Sequence, residues 1–164
     1  MTKLEAERDI KRKIDKHGWT LLVVSGQPGP NWVYTIGLVE SFKHPEIVIV
    51  GLGEEPASIL LNVVAEQVRD GRRFSPDART DGVCEAPFVC GFKEVPSAAF
   101  PVFLGSACRY YRDPGRLTCL QMFVADRNNR LPWEAGADPE SKRWQVDISI
   151  VADLANRAVT ASRQ

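Results

Sequence analysis

Apolar positions at helical spacing stand out between residues 56 and 70, where Leu60, Leu61, Val64 and Val68 share one face. Glu54 and Glu55 precede Pro56, which suits a helix start: acid complements the dipole, and proline in the first turn forfeits no hydrogen bond. Gly71 follows as a stop. The main helix is therefore predicted over Pro56–Asp70. Just before it the pattern changes. Ile47, Val48, Ile49 and Val50 form an unbroken apolar run, as in a strand covered on both faces, and this strand is predicted over Glu46–Leu52. Two earlier strands are read at Trp19–Val24 and Trp32–Leu38, separated by a turn rich in glycine and proline, Gly26–Pro30.

The first residues read as a helix of a different kind. Thr2 and Glu5 make a capping box, Leu4, Ile10 and Ile14 a thin apolar stripe among many charges, and His17-Gly18 an end. Such a helix lies exposed on the edge of a domain. Glu40–His44 reads as a loop, and so does the polar stretch Ser75–Gly82. Val83–Val95 has strand character, broken near Gly91; Pro101–Tyr111 is a helix with Leu104, Cys108 and Tyr111 on one face. Leu117–Val124 is a strand, Asp126–Asn129 its hairpin turn and Arg130–Trp133 the return. The last residues begin as a loop and end in a weak helix through Ile150, Leu154 and Ala158. The fold class expected is α+β: a bent antiparallel sheet or small barrel packed by one main helix, with peripheral N-terminal and C-terminal helices. Residues 1–135 form the domain, and 136–164 an extension packed on it or trailing from it.

Charge narrows the partners. Lys and Arg number 21 and so do Asp and Glu, so the global basic excess that helps nucleic-acid binders displace counterions is missing. No apolar run reaches the length of a membrane span, and the charged first residues lack the core of a signal peptide. A soluble, cytoplasmic protein that binds neither nucleic acid nor membrane is expected. Cys84, Cys90, Cys108 and Cys119 are then reduced thiols in apolar surroundings. Their spacing, with two unpaired histidines, delivers no ligand set for a metal.

Six short motifs in order, His17-Gly18-Trp19, Tyr34-Thr35-Ile36-Gly37-Leu38, His44-Pro45-Glu46, Gly71-Arg72-Arg73-Phe74, Tyr110-Tyr111 and Leu131-Pro132-Trp133-Glu134, are distinctive as a set. They resemble the bacterial family catalogued as domain of unknown function 4262, over about His17 to Glu134. The resemblance implies a fold and no chemistry. A fainter resemblance, in element order alone, is to the flavin-binding split barrels of flavin reductases.

Candidate chemistry is sparse. No glycine-rich phosphate loop is present. His44 and Glu46, two positions apart before a buried strand, are an acid–base pair in one reading and a loop clamp in the other. Arg72 and Arg73 either grip an anion or neutralise the end of the main helix. Trp32, Tyr34 and Trp133 supply apolar walls with polar handles. Together, Trp32, Tyr34, His44, Glu46, Arg72, Arg73 and Trp133 are the candidate ligand-binding residues, no metal being expected. The function expected is binding of a small anionic or aromatic ligand, a flavin among them. The alternative is a non-catalytic protein-interaction or neutralising module, recognising a protein partner or a second copy through Gly26–Pro30 and Ser75–Gly82. The sequence commits the chain neither to catalysis nor against it.

Overall fold

The computed structural model describes residues 2–26 and 28–151, and it begins with helix α1 (Lys3–His17). The Thr2 side chain accepts from Glu5 N while Glu5 reaches back to Thr2 N, completing the capping box, and Gly18 closes the helix in the left-handed conformation. Ile10 and Ile14 are buried, whereas Leu4 stays 57% exposed. Strand β1 (Thr20–Val24) follows, then β2 (Trp32–Ile36), short helix α2 (Leu38–Phe42), β3 (Glu46–Val50) and the long helix α3 (Glu54–Arg69). The remaining elements are β4 (Cys90–Glu94), a 3-10 turn (Ser97–Ala99), α4 (Phe100–Phe103), α5 (Gly105–Tyr111), β5 (Cys119–Val124) and α6 (Pro139–Trp144).

Five strands form one open sheet in the order β1-β2-β3-β5-β4. All neighbours are antiparallel except β3 and β5, which run parallel. The fold is α+β. Its sheet is mixed and unclosed, where the sequence suggested an antiparallel sheet or small barrel. Side-chain alternation along β3 explains the unbroken apolar run. Ile47 and Ile49 join Leu61, Val64 and Val68 of α3 in one core, and Val48 and Val50 join Ile10, Ile14, Leu104 and Tyr111 in the core on the opposite face. Each layer of helices thus buries one stripe of the same strand.

Four local expectations change. Residues 38–42 are helical rather than a loop, because Glu46 supplies the cap described below. The stretch Val83–Val95 contributes only β4 to the sheet, and Gly91 lies within that strand. A Cβ there would come within 2.8 Å of both Leu131 and Trp133, so glycine seats those side chains rather than breaking the strand. The Pro101–Tyr111 helix divides at Leu104, whose side chain is fully buried. Arg130–Trp133 makes no return strand, because β3 and β4 already occupy both sides of β5.

Residues beyond 135 are anchored to the sheet as far as Ile148. Gln145 bonds Val124 N and O, and Gln121 bonds Val146 O and Ile148 N, which places Ile148 in the core. The weak helix expected through Leu154 and Ala158 lies outside the described residues, as does Gln27 of the Gly26–Pro30 turn. Among the described residues no helix is long and apolar enough to cross a membrane.

Candidate functional site

Where β2 ends, Thr35, Gly37 and the start of α2 wrap around the carboxylate of Glu46, which is fully buried. Its Oε1 accepts from Thr35 Oγ1 at 2.8 Å and Leu38 N at 3.1 Å; its Oε2 accepts from Gly37 N at 3.0 Å and Val39 N at 3.3 Å. Tyr111 Oη from α5 donates to the same oxygen. The first amides of a helix have no intrahelical partner, so Glu46 acts as the cap of α2 across a gap in sequence. Gly37 is required here: its φ is +124°, and a Cβ would lie 2.5 Å from Gly18 O. Burial pushes the Glu46 pKa up, while the hydroxyl and amide donors pull it back. Three of the five donors are backbone N–H groups, which cannot accept a proton from the acid, so the geometry suits the ionised form. Tyr111 rises above the ordinary tyrosine range through burial and the neighbouring carboxylate.

His44 faces elsewhere. Its Nε2 accepts from Phe74 N at 3.0 Å, which leaves Nδ1 protonated to donate to Pro45 O at 2.8 Å. Burial lowers its pKa. The imidazole therefore holds the segment after α3 against the loop before β3, and the bonds of His44 and Glu46 go to separate partners. Arg73 lies on the outside of this junction, donating to Lys43 O at 3.0 Å. Arg72 donates to Gln67 Oε1 and Asp81 O, both at 2.8 Å, with its guanidinium 4.8 Å from the centre of the Phe74 ring. Both arginines are turned to protein acceptors.

The aromatic candidates are dispersed. Tyr34, 1% exposed, accepts from Ser106 N in the core beneath α5, and Trp32 donates to Phe103 O on the same side. Trp133 lies at the other end of the sheet, edge-on to Phe123 with Lys93 over its ring. The structure thus joins His44 with Arg73, and Trp32 with Tyr34; it does not gather the seven residues around one cavity.

A different cluster has the attributes of a site. One wall of a cleft of about 360 Å³ is the face of α1 carrying Leu4, Glu7, Arg8 and Lys11; the other is Arg109, Tyr110, Arg112 and Arg116 at and beyond the end of α5, with Glu40 of α2 between them. Five cations face two carboxylates, and Glu40 is already engaged by Tyr110 Oη. Among the described residues, Arg8, Arg109, Arg112 and Arg116 enter no ion pair. Arg109 donates to the Ser106 hydroxyl at 3.1 Å, and Arg116 lies 5.4 Å from the Tyr111 ring centre. The sequence signal for this cleft was the basic spacing of 109, 112 and 116 together with Arg8 and Lys11, a pattern that resembles a solvated surface until the two helices are brought together.

The four thiols are free. Interaction between Cys84 and Cys90 lowers the pKa of the first and, with burial, raises that of the second. Among the described residues no group of three or more His, Cys, Asp or Glu side chains has metal-binding geometry.

No curated protein and no solved structure shows significant similarity to the chain. A family model does match, over residues 13–138, a span that contains all six motifs, including the Glu46 cap and the His44 junction. The chain belongs to the family described as domain of unknown function (DUF4262).

Proposed function

We propose that the cleft between α1 and α5 binds a small molecule carrying an anionic group beside an aromatic or apolar part. The observation that supports this is the set of four guanidiniums, without ion partners among the described residues, around a concave surface walled by Leu4 and Tyr110. Guanidinium is the side chain best matched to carboxylate and phosphate, because its planar fork donates in pairs. Small-molecule sites combine apolar walls with a few convergent polar groups in a cavity of roughly 300–1,000 Å³, and this cleft falls within that range. A flavin mononucleotide, with one phosphate and one ring system, belongs to the class proposed.

The test uses flavin mononucleotide and riboflavin, which differ by the phosphate alone. Quenching of flavin fluorescence should report saturable binding of the phosphate form and at least about tenfold weaker binding of riboflavin, a difference of about 1.4 kcal/mol. Arg109→Ala and Arg116→Ala should each weaken the first and leave the second unchanged. If neither flavin mononucleotide nor a panel of aryl phosphates and aryl carboxylates binds, or if both substitutions leave affinity intact, the cleft is not a ligand site.

A further inference from the structure

The two edges of the sheet are finished differently. At β4 the chain seals its own edge. Thr80 exchanges two backbone bonds with Cys90, at 2.8 and 2.9 Å, and Asp77 N donates to Phe92 O at 3.2 Å. The covering loop is pinned from outside by Arg79, which pairs with Glu134 and donates to Asn129 O at 2.8 Å. Ser75–Gly82, read from sequence as an exposed loop, is exposed and also covers this edge.

Nothing comparable covers β1 among the described residues. Among the described residues, β2 is the only segment that hydrogen-bonds to the backbone of residues 20–24. No residue of β1 is fully buried, and Val23 is 43% exposed. Its sequence, Thr20-Leu21-Leu22-Val23-Val24, carries no charge, proline or glycine, the devices by which proteins normally blunt an open edge. An edge with unpaired amides and carbonyls and apolar side chains is a template for another strand.

The first half of this edge lies on the floor of an open groove of about 800 Å³ that includes Thr20 and Leu21. Lys13 and Lys16 of α1 stand on one side and Asn62, Glu66 and Arg69 of α3 on the other. Three cations and one carboxylate line the groove, with cations on both faces of any strand added there. Lys16 enters no ion pair among the described residues, whereas Lys13 pairs with Asp9 at 2.9 Å and Arg69 with Asp70 at 3.2 Å; Arg69 also lies 5.9 Å from the Trp19 ring centre.

We infer that β1 is a strand-addition site for an extended segment of a partner protein in which acidic and apolar residues are interspersed. Backbone bonds to β1 would supply affinity, and the lysines and Arg69 would select an acidic strand over a basic one. This site is separate from the arginine cleft, and either can fail without the other.

The probe is a short fluorescein-labelled peptide alternating valine and glutamate, compared with the matched valine–lysine peptide. The acidic peptide should bind, and it should slow amide hydrogen exchange specifically in residues 20–24. Lys16→Glu and Val23→Lys should each weaken it about tenfold; both positions are exposed, and their unfolding midpoints should match the parent protein's. The inference is overturned if the acidic peptide does not bind, if the lysine peptide binds equally well, or if exchange in β1 is unchanged. It is equally overturned if sedimentation shows a dimer that Val23→Lys dissociates, since a second copy would then be the edge's occupant.

Discussion

Two charged regions lie within reach of Tyr110 and Tyr111, and they are built on opposite terms. Around Glu46 a single carboxylate is buried under five donors and has no contact with solvent. In the α1–α5 cleft several guanidiniums gather without ion partners among the described residues. A charge taken out of water survives only when every lone pair is matched, so the first region has to be satisfied by the protein itself. A surface charge has water to solvate it and needs no partner for the fold to stand. The contrast separates two meanings of a polar cluster: Glu46 reports how the chain folds, and the arginines report what it is free to bind. The family motifs Tyr34–Leu38, His44–Glu46 and Tyr110–Tyr111 meet at or beside the first region, whereas only Tyr110 among them lines the second.

The sharpest way to break this comparison is Glu46→Ala. Removing the carboxylate strands two hydroxyls and three helix-start amides in the interior, and breaking a buried charged network typically costs about 3–5 kcal/mol. Glu46→Gln should also destabilise, because its amide group directs hydrogen-bond donors at donors. Tyr111→Phe, which removes one charge-assisted bond, should cost about 1.5–3 kcal/mol. Denaturant unfolding measures all three. A Glu46→Ala protein with unchanged stability would mean that the carboxylate is not the cap of α2.

His44 sharpens the same side of the comparison through pH. Burial holds its folded pKa below the ordinary histidine value, and protonating Nε2 would remove the acceptor of the Phe74 amide. The neutral ring therefore contributes stability fully above about pH 6.5, and that contribution is lost as pH falls from there through the folded pKa. The slope expected in this window is up to about 1.4 kcal/mol per pH unit. His44→Gln should flatten the dependence relative to the parent protein. Equal slopes for the two proteins between neutral pH and about pH 5 would show that folding leaves the ring's pKa at its ordinary value.

What could be read from sequence divides along the same line. The α3 face of Leu61, Val64 and Val68 and the doubly buried β3 were legible because periodicity records burial directly. The clamp reading of His44 was available from the neighbouring proline. Glu46 looked like half of an acid–base pair because sequence shows two titratable groups close together and not the five donors, drawn from residues 35–39 and 111, that enclose one of them. The arginine cleft was illegible for a related reason. Arg8 and Arg116 are brought together by α1 lying against α5, a packing decision made by Ile10, Ile14 and Tyr111 rather than by any local motif.

The smallest effect expected lies on the other side of the comparison, and its sign is informative. Five cations around one cleft repel one another, and only two carboxylates oppose them there. Residues kept for binding often work against stability in this way. Replacing Arg112 or Arg116 by Ala should therefore leave stability within about 0.5 kcal/mol of the parent, the normal range for exposed positions, with a slight gain at low salt. Arg116 also shields part of the Tyr111 ring, so its gain should be the smaller of the two. Salt separates repulsion from packing: at roughly 1 M ionic strength the screening length shrinks to about 3 Å, and any stabilisation should vanish. Unfolding midpoints of both variants, compared across salt concentration, measure this. A loss of more than about 1 kcal/mol at any salt concentration would mean that the arginines hold the fold together, and the cleft would then belong with Glu46 on the structural side.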